Sequence, residues 1–305
     1  MIKRRDFIRQ TAAIVALGAL TPVEVFAARK KKSAATDLDN SAESPLQPAD
    51  VTKLPDGVQH LDLFLLMGQS NMKGRGTVPP DQKINPHIVM MGMRDDRWYF
   101  ARDPLHMAGV VDRIDGSSNA GVGPGLSFAQ AVAAREPDTM IGLIPCAVGG
   151  SKVAQWQKGV PRSLYDEAVR RAKLALKTGA PGKVRIRAAL WLQGESDSKE
   201  ETYKVYPEKL LKVVDTLRAD LELPELPFIA CTVGSFIAAK TNAYPHIQEI
   251  NDDLLALPGQ RPHTACVDAR DLKGNIGDNL HYNTESQTAI GPRYAEKYFE
   301  LTGKK

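Results

Sequence analysis

A three-layer α/β/α sandwich built on a mainly parallel sheet of five or six strands is the architecture this chain predicts, on three observations. Runs that are apolar at nearly every position recur at residues 61–67, 88–91, 140–145, 186–192, 228–233 and 264–267. Strands apolar on both faces belong in a parallel sheet covered by helices on each side. Longer stretches with helical spacing separate these runs, and 305 residues, 43% of them hydrophobic, suffice for one large body of this kind.

The chain opens on a segment of different character. Arg4 and Arg5 precede Asp6, Phe7 and Ile8, a modestly apolar stretch covers residues 12–20, and small residues surround Ala27. This pattern predicts an export signal over 1–27, similar to the twin-arginine type, and so a bacterial protein destined for the periplasm or the exterior. The apolar stretch falls short of the roughly 20 residues that span a bilayer, so no membrane association is expected after cleavage. Residues 28–54 turn to Lys, Ser, Ala, Asp and Pro without a periodic apolar face and predict a flexible tether. One domain, 55–305, follows without an internal repeat.

The formal charge of +4 is concentrated at the start. Residues 1–32 hold eight basic side chains against Asp6 and Glu24, a local +6 that leaves the remainder at −2. So nearly neutral a body carries no electrostatic footprint for nucleic acid or an anionic membrane surface. Cys146, Cys231 and Cys266 form no CxxC pair and end apolar runs, as buried free thiols do.

Within the domain, Leu164, Ala168, Ala172 and Leu176 recur every four residues and close on Gly179, which predicts a helix with a glycine cap. Leu210, Val213, Val214, Leu217 and Leu221 predict another. Thr284 and Gln287 have the spacing of a capping box at the head of a last helix, which Pro292 is expected to bend or delay.

The chemistry-bearing residues gather after the apolar runs. In an open α/β sheet, ligands bind beyond the carboxyl ends of the strands. The first run stops on Gly68, Gln69, Ser70 and Asn71, where Gly68 permits a sharp turn and Ser70 begins the next one. Capping a helix is the alternative employment for Ser70 and Asn71. Asp278 and His281 stand three apart after the last run. A serine hydroxyl becomes a nucleophile when a base takes its proton, and the base needs a carboxylate to hold its tautomer. The run 186–192 ends on Gln193, Gly194 and Glu195, where a side-chain amide could donate to a developing oxyanion. Gly149 and Gly150 follow the run 140–145, and a glycine pair offers backbone N–H groups without obstruction. His87, His106, His246 and His263 lack metal-ligand spacing and read as surface or capping residues.

Together Gly68-Gln69-Ser70-Asn71-Met72, the Gly149-Gly150 loop, Gln193-Gly194-Glu195-Ser196-Asp197 and Asp278-Asn279-Leu280-His281 resemble the four blocks of the SGNH hydrolases, a flavodoxin-like α/β/α class. More narrowly they resemble carbohydrate esterase family 6, the acetylxylan esterases related to sialic-acid-specific acetylesterases. The resemblance extends over nearly all of residues 60–300. It implies Ser70 as nucleophile, His281 as base and Asp278 as its orienting acid. It also implies an oxyanion hole from the Ser70 N–H, a glycine N–H of Gly149 or Gly150, and the Gln193 side chain, where many members of the wider superfamily carry Asn. No metal or cofactor is implied. Gln69, Asn71 and Glu195 take supporting places, Glu195 either bracing its loop or meeting a substrate hydroxyl. Trp156, Lys73 and Arg75 are placed for a sugar platform with a polar rim, or else for a core indole and solvated charges. A classical α/β-hydrolase is disfavoured: Met72 stands where its nucleophile elbow requires glycine, and the acid and histidine are neighbours. The implied partner is an acetylated carbohydrate, with acetylated xylan or a related plant polysaccharide preferred to an O-acetyl sialic acid because the domain is compact. A catalytically silent carbohydrate-binding protein on the same fold is the rival of a different class. The oligomeric state is not indicated.

Overall fold

The computed structural model describes residues 46–106, 119–240 and 242–304. The export signal expected at 1–27 and most of the expected tether, 28–45, lie outside the described residues.

Seven strands form one sheet: β1 (His60–Gly68), β2 (Ile88–Met91), β3 (Trp98–Phe100), β4 (Thr139–Pro145), β5 (Val184–Leu192), β6 (Phe228–Cys231) and β7 (Thr264–Val267). Their order is β3-β2-β4-β1-β5-β6-β7, parallel throughout except for β3, which runs antiparallel to β2 at one edge. The sheet therefore exceeds the expected five or six strands by the short Trp98–Phe100 edge, too brief for a periodic signal. Around it lie α1 (Ser70–Lys73), α2 (Pro124–Arg135), α3 (Leu164–Thr178), α4 (Tyr206–Asp220), α5 (Ile247–Gln260) and α6 (Thr284–Thr302).

β1 shows why both faces are covered. Leu61, Leu63, Leu65 and Met67 enter one core with α3, α4 and most of α5, while Phe64 and Leu66 enter the other with α2 and α6. Successive strand side chains alternate between faces, so a run apolar at every position needs helices on both. Asp62 interrupts that run, is fully buried, and is held by Arg185 Nε and Nη2 at 2.7 and 3.0 Å.

Several local expectations are corrected. The stretch 46–54, read as tether, is part of the folded body. Phe100 N–H donates to Gln47 O, Ala49 N–H to Trp98 O and Ala180 N–H to Val51 O, and Val51 is 2% exposed. The first two of these bonds cover the free edge of β3, which an unpaired strand would otherwise present to solvent. Leu176 is exposed while Ala175 is buried. A step of four residues overshoots a helical turn by about 40°, so the series from Leu164 drifts off the core face. Gly179 ends α3 in extended, not left-handed, conformation. A Cβ there would lie 2.5 Å from Val184 Cγ2, so close packing is what demands glycine. Asn283, not Thr284, caps α6 by accepting from Ser286 N–H at 3.0 Å, and α6 continues through Pro292. No helix among the described residues is long and apolar enough to cross a membrane.

β1 lies between β4 and β5, at the place where chain order reverses across the sheet. The crevice beyond its carboxyl end is thus the topological switch point, where ligands bind in this architecture.

Candidate active site

Ser70 is delivered by a forced turn. Gly68 has φ of +136°, and a Cβ on it would run into the carbonyl of Leu192 at the end of β5, so the strand ends here on glycine. Gln69 N–H donates to the same carbonyl at 3.0 Å, and Ser70 then opens α1 with its side chain in the crevice. The N–H groups of a first helical turn have no acceptor within the helix, which leaves the Ser70 amide hydrogen available.

His281 arrives from the opposite end of the chain. Asp278 Oδ1 accepts from the N–H groups of Leu280 and His281, both at 2.9 Å, which folds the Asp-x-x-His segment into a tight turn. Within it Asp278 Oδ2 lies 2.6 Å from His281 Nδ1, and His281 Nε2 lies 2.9 Å from Ser70 Oγ. Carboxylate, imidazole and hydroxyl form one hydrogen-bonded line, the geometry by which an imidazole takes a hydroxyl proton. Burial is the strongest influence on His281. With the charges of Arg75 and Lys240 it holds the imidazole below its ordinary value of 6.5, against the opposing pull of Asp278. For Asp278 burial works upward, but the hydrogen bonds from His281 and Leu280 outweigh it and keep the carboxyl low.

Behind this line lies a buried polar scaffold. Asn71 Nδ2 donates to Glu195 Oε1 at 2.5 Å and to Leu280 O at 3.1 Å, while its Oδ1 accepts from Tyr282 N–H at 3.0 Å. Burial lifts the Glu195 carboxyl to about 7 against the hydrogen bonds that favour its charge. Glu195 is fully buried and its Oε1 is bound to Asn71. Gln69 Oε1 accepts from Ser196 N–H at 3.3 Å and from Gln193 Nε2 at 3.2 Å.

Gln193 differs from its expected part. Its Nε2 also lies 2.6 Å from Asp197 Oδ2 and 3.0 Å from Ser151 O, so its two amide hydrogens face three acceptors. The side chain is fully buried and ties the loop after β5 to the loop after β4. It presents no spare donor to the crevice. Asp197, 1% exposed, receives Val153 N–H as well, at 2.8 Å, and so anchors the glycine loop that carries Gly149 and Gly150. Gly150 has φ of +71° and open space around it.

The sugar platform is not formed by Trp156. That indole is fully buried, stacks edge-on against Trp191 with centroids 5.2 Å apart, and donates to Ser151 Oγ at 3.1 Å. Lys73 is 1% exposed, so it is no rim charge, whereas Arg75 is half-buried and gives Nη1 to Gly74 O. His106, expected at the surface or as a cap, is buried, and its Nε2 accepts from Ala147 N–H at 3.1 Å at the root of the glycine loop. The sequence reading gave no role in the site to Asp197, Ser151 or His106. Asp197 closes a motif already singled out and Ser151 adjoins another; nothing local distinguishes His106. Among the described residues no group of three His, Cys, Asp or Glu is arranged to hold a metal ion.

The layers and the sheet are those of the SGNH-type hydrolases, and NanS shares them over 86% of this chain and 100% of its own, at a TM-score of 0.62 and 16% identity. The chain belongs to the family described as carbohydrate esterase, sialic acid-specific acetylesterase, which matches residues 60–300. A probable carbohydrate esterase of Arabidopsis thaliana is 36% identical over 254 residues, 77% of this chain and 89% of that protein. The crystal structure of the Arabidopsis protein superposes with a TM-score of 0.67 at 35% identity, covering 78% of this chain and 98% of its own. A carbohydrate acetylesterase from Xanthomonas citri shares the fold at 18% identity and a TM-score of 0.57, over 80% of this chain and 57% of that one.

Proposed function

We propose that this protein is a serine esterase that removes O-acetyl groups from carbohydrate through a Ser70–His281–Asp278 triad and an acetyl-enzyme. The observation that carries the reading is the unbroken line from Asp278 through His281 to Ser70, with Oγ 2.9 Å from Nε2. Ser70 Oγ attacks the acetyl carbonyl as His281 Nε2 takes its proton. The alkoxide that develops on the carbonyl oxygen is met by the Ser70 N–H and by backbone N–H from the Gly149-Gly150 loop. Collapse expels the sugar hydroxyl, which leaves with the proton from His281. Water, deprotonated by the same imidazole, then attacks the acetyl ester and frees acetate. Asp278 keeps the imidazole in the tautomer that presents a lone pair to Ser70.

Within the family we assign the chain to the group of carbohydrate esterase family 6, with acetylated plant polysaccharide such as xylan as substrate. The compact body supports this. The test has two arms. Ser70→Ala should lower kcat on p-nitrophenyl acetate by about 10⁴ to 10⁶, and wild-type turnover by that variant would end the triad assignment. Acetate released from acetylated xylan should exceed that from O-acetyl sialic acid, and the reverse would move the substrate to sialate.

A further inference from the structure

The line of three side chains explains proton transfer but not what holds His281 opposite Ser70. The two residues are separated by 211 positions, and the turn that carries His281 is hydrogen-bonded mainly to itself. Ile276 N–H donates to His281 O and Asn283 N–H to Gly274 O, both within the same loop. Apart from the Ser70–His281 contact, the hydrogen bonds joining residues 275–282 to the strand end of Ser70 are, among the described residues, the two made by the Asn71 side chain. They fall on Leu280 O and Tyr282 N–H, the residues immediately before and after His281.

An amide has two ends, and only one orientation serves here. With Oδ1 toward Tyr282 N–H, Nδ2 faces Leu280 O with one hydrogen and Glu195 Oε1 with the other. Turned over, it would set its oxygen against two acceptors and its hydrogens against a donor. Glu195 removes that alternative. It is fully buried, it touches Asn71 at 2.5 Å, and Gly194 before it has φ of +149°, so the backbone is turned to place the carboxyl there. The Asn71 carbonyl is itself held by Gln287 Nε2 of α6 at 2.8 Å.

We propose that Asn71 and Glu195 are positioning residues for His281: Asn71 grips the peptide groups on both sides of the histidine, and Glu195 fixes the direction in which that grip faces. The inference rests on the triad reading above. It predicts a defect in the chemical step and not in binding, because both side chains are fully buried.

The experiment measures kcat, KM and the downfield proton resonance of the His281 Nδ1–H bond in the full chain and its variants. Asn71→Ala and Glu195→Ala should each lower kcat roughly 10- to 100-fold, the loss expected for a displaced reacting group, with KM within about twofold. Both should broaden or remove the downfield resonance in substrate-free protein. Glu195→Gln keeps an oxygen acceptor for Asn71 Nδ2 and should recover most of the rate. Wild-type kcat in both alanine variants, losses confined to KM, an unaltered resonance, or no recovery by glutamine would overturn the proposal. If Asn71→Ala does not fold, the Glu195 pair carries the test alone. Ser70→Ala separates the two readings: turnover retained there removes the serine mechanism, while the resonance still reports whether Asn71 and Glu195 hold the imidazole.

Discussion

His281 must be neutral to accept the Ser70 proton, and the surroundings keep it so. Burial, Arg75 and Lys240 all favour the uncharged ring, so its folded value lies below 6.5 and the active form persists as pH falls through that point. The acid limb of kcat/KM is accordingly expected below pH 6.5, since that limb reports the free enzyme's base. Arg75→Ala or Lys240→Ala deletes a positive charge, raises the imidazole value and should move the limb to higher pH. A limb that stays fixed, or moves down, would contradict this account of the ring. Ser70, Asp278 and His281, which the fold brings into one hydrogen-bonded line, were legible in the sequence because a serine, a histidine and an acid stood beyond apolar runs. Gln193 and Trp156 were legible as positions but not as roles. An amide beside an oxyanion and an amide beside Asp197 look alike in sequence, and so do an indole at a rim and an indole against Trp191.

At the scale of elements, six of the seven strands could be read from apolar runs, since burial on both faces leaves a plain signature. Helix ends were less legible. Asn283 caps α6 where the Thr284–Gln287 spacing pointed one residue later, because Gln287 is drawn instead to the Asn71 carbonyl and Thr284 Oγ1 to Thr77 O at 2.9 Å. Gly291 is another case in which tertiary packing overrides local preference. In an isolated helix, Gly→Ala would stabilise by roughly 0.5–1 kcal/mol. Here a Cβ would strike the backbone of α2 at Ser127 and Phe128. Gly291→Ala is therefore expected to destabilise by about 1–3 kcal/mol, read as a lowered midpoint in urea. A raised midpoint would mean that the contact of α2 with α6 is loose.

For the whole molecule, the described body begins before the sequence suggested. Composition alone made 46–54 look like tether, since one buried valine and a few backbone hydrogen bonds leave no periodic trace. A chain starting at Pro55 should be less stable than one starting at Leu46 by roughly 2–4 kcal/mol, from the burial of Val51 and the lost edge hydrogen bonds. Thermal unfolding of the two chains checks this, and equal midpoints would return the segment to the tether.

The central place of β1 has a consequence for how the protein is made. Ser70, the nucleophile of the proposed triad, is among the first residues of the body to leave the ribosome, and His281 is among the last. On the proposed mechanism an incomplete chain is thus an unarmed one: Ser70 stays an ordinary alcohol until the segment carrying His281 docks.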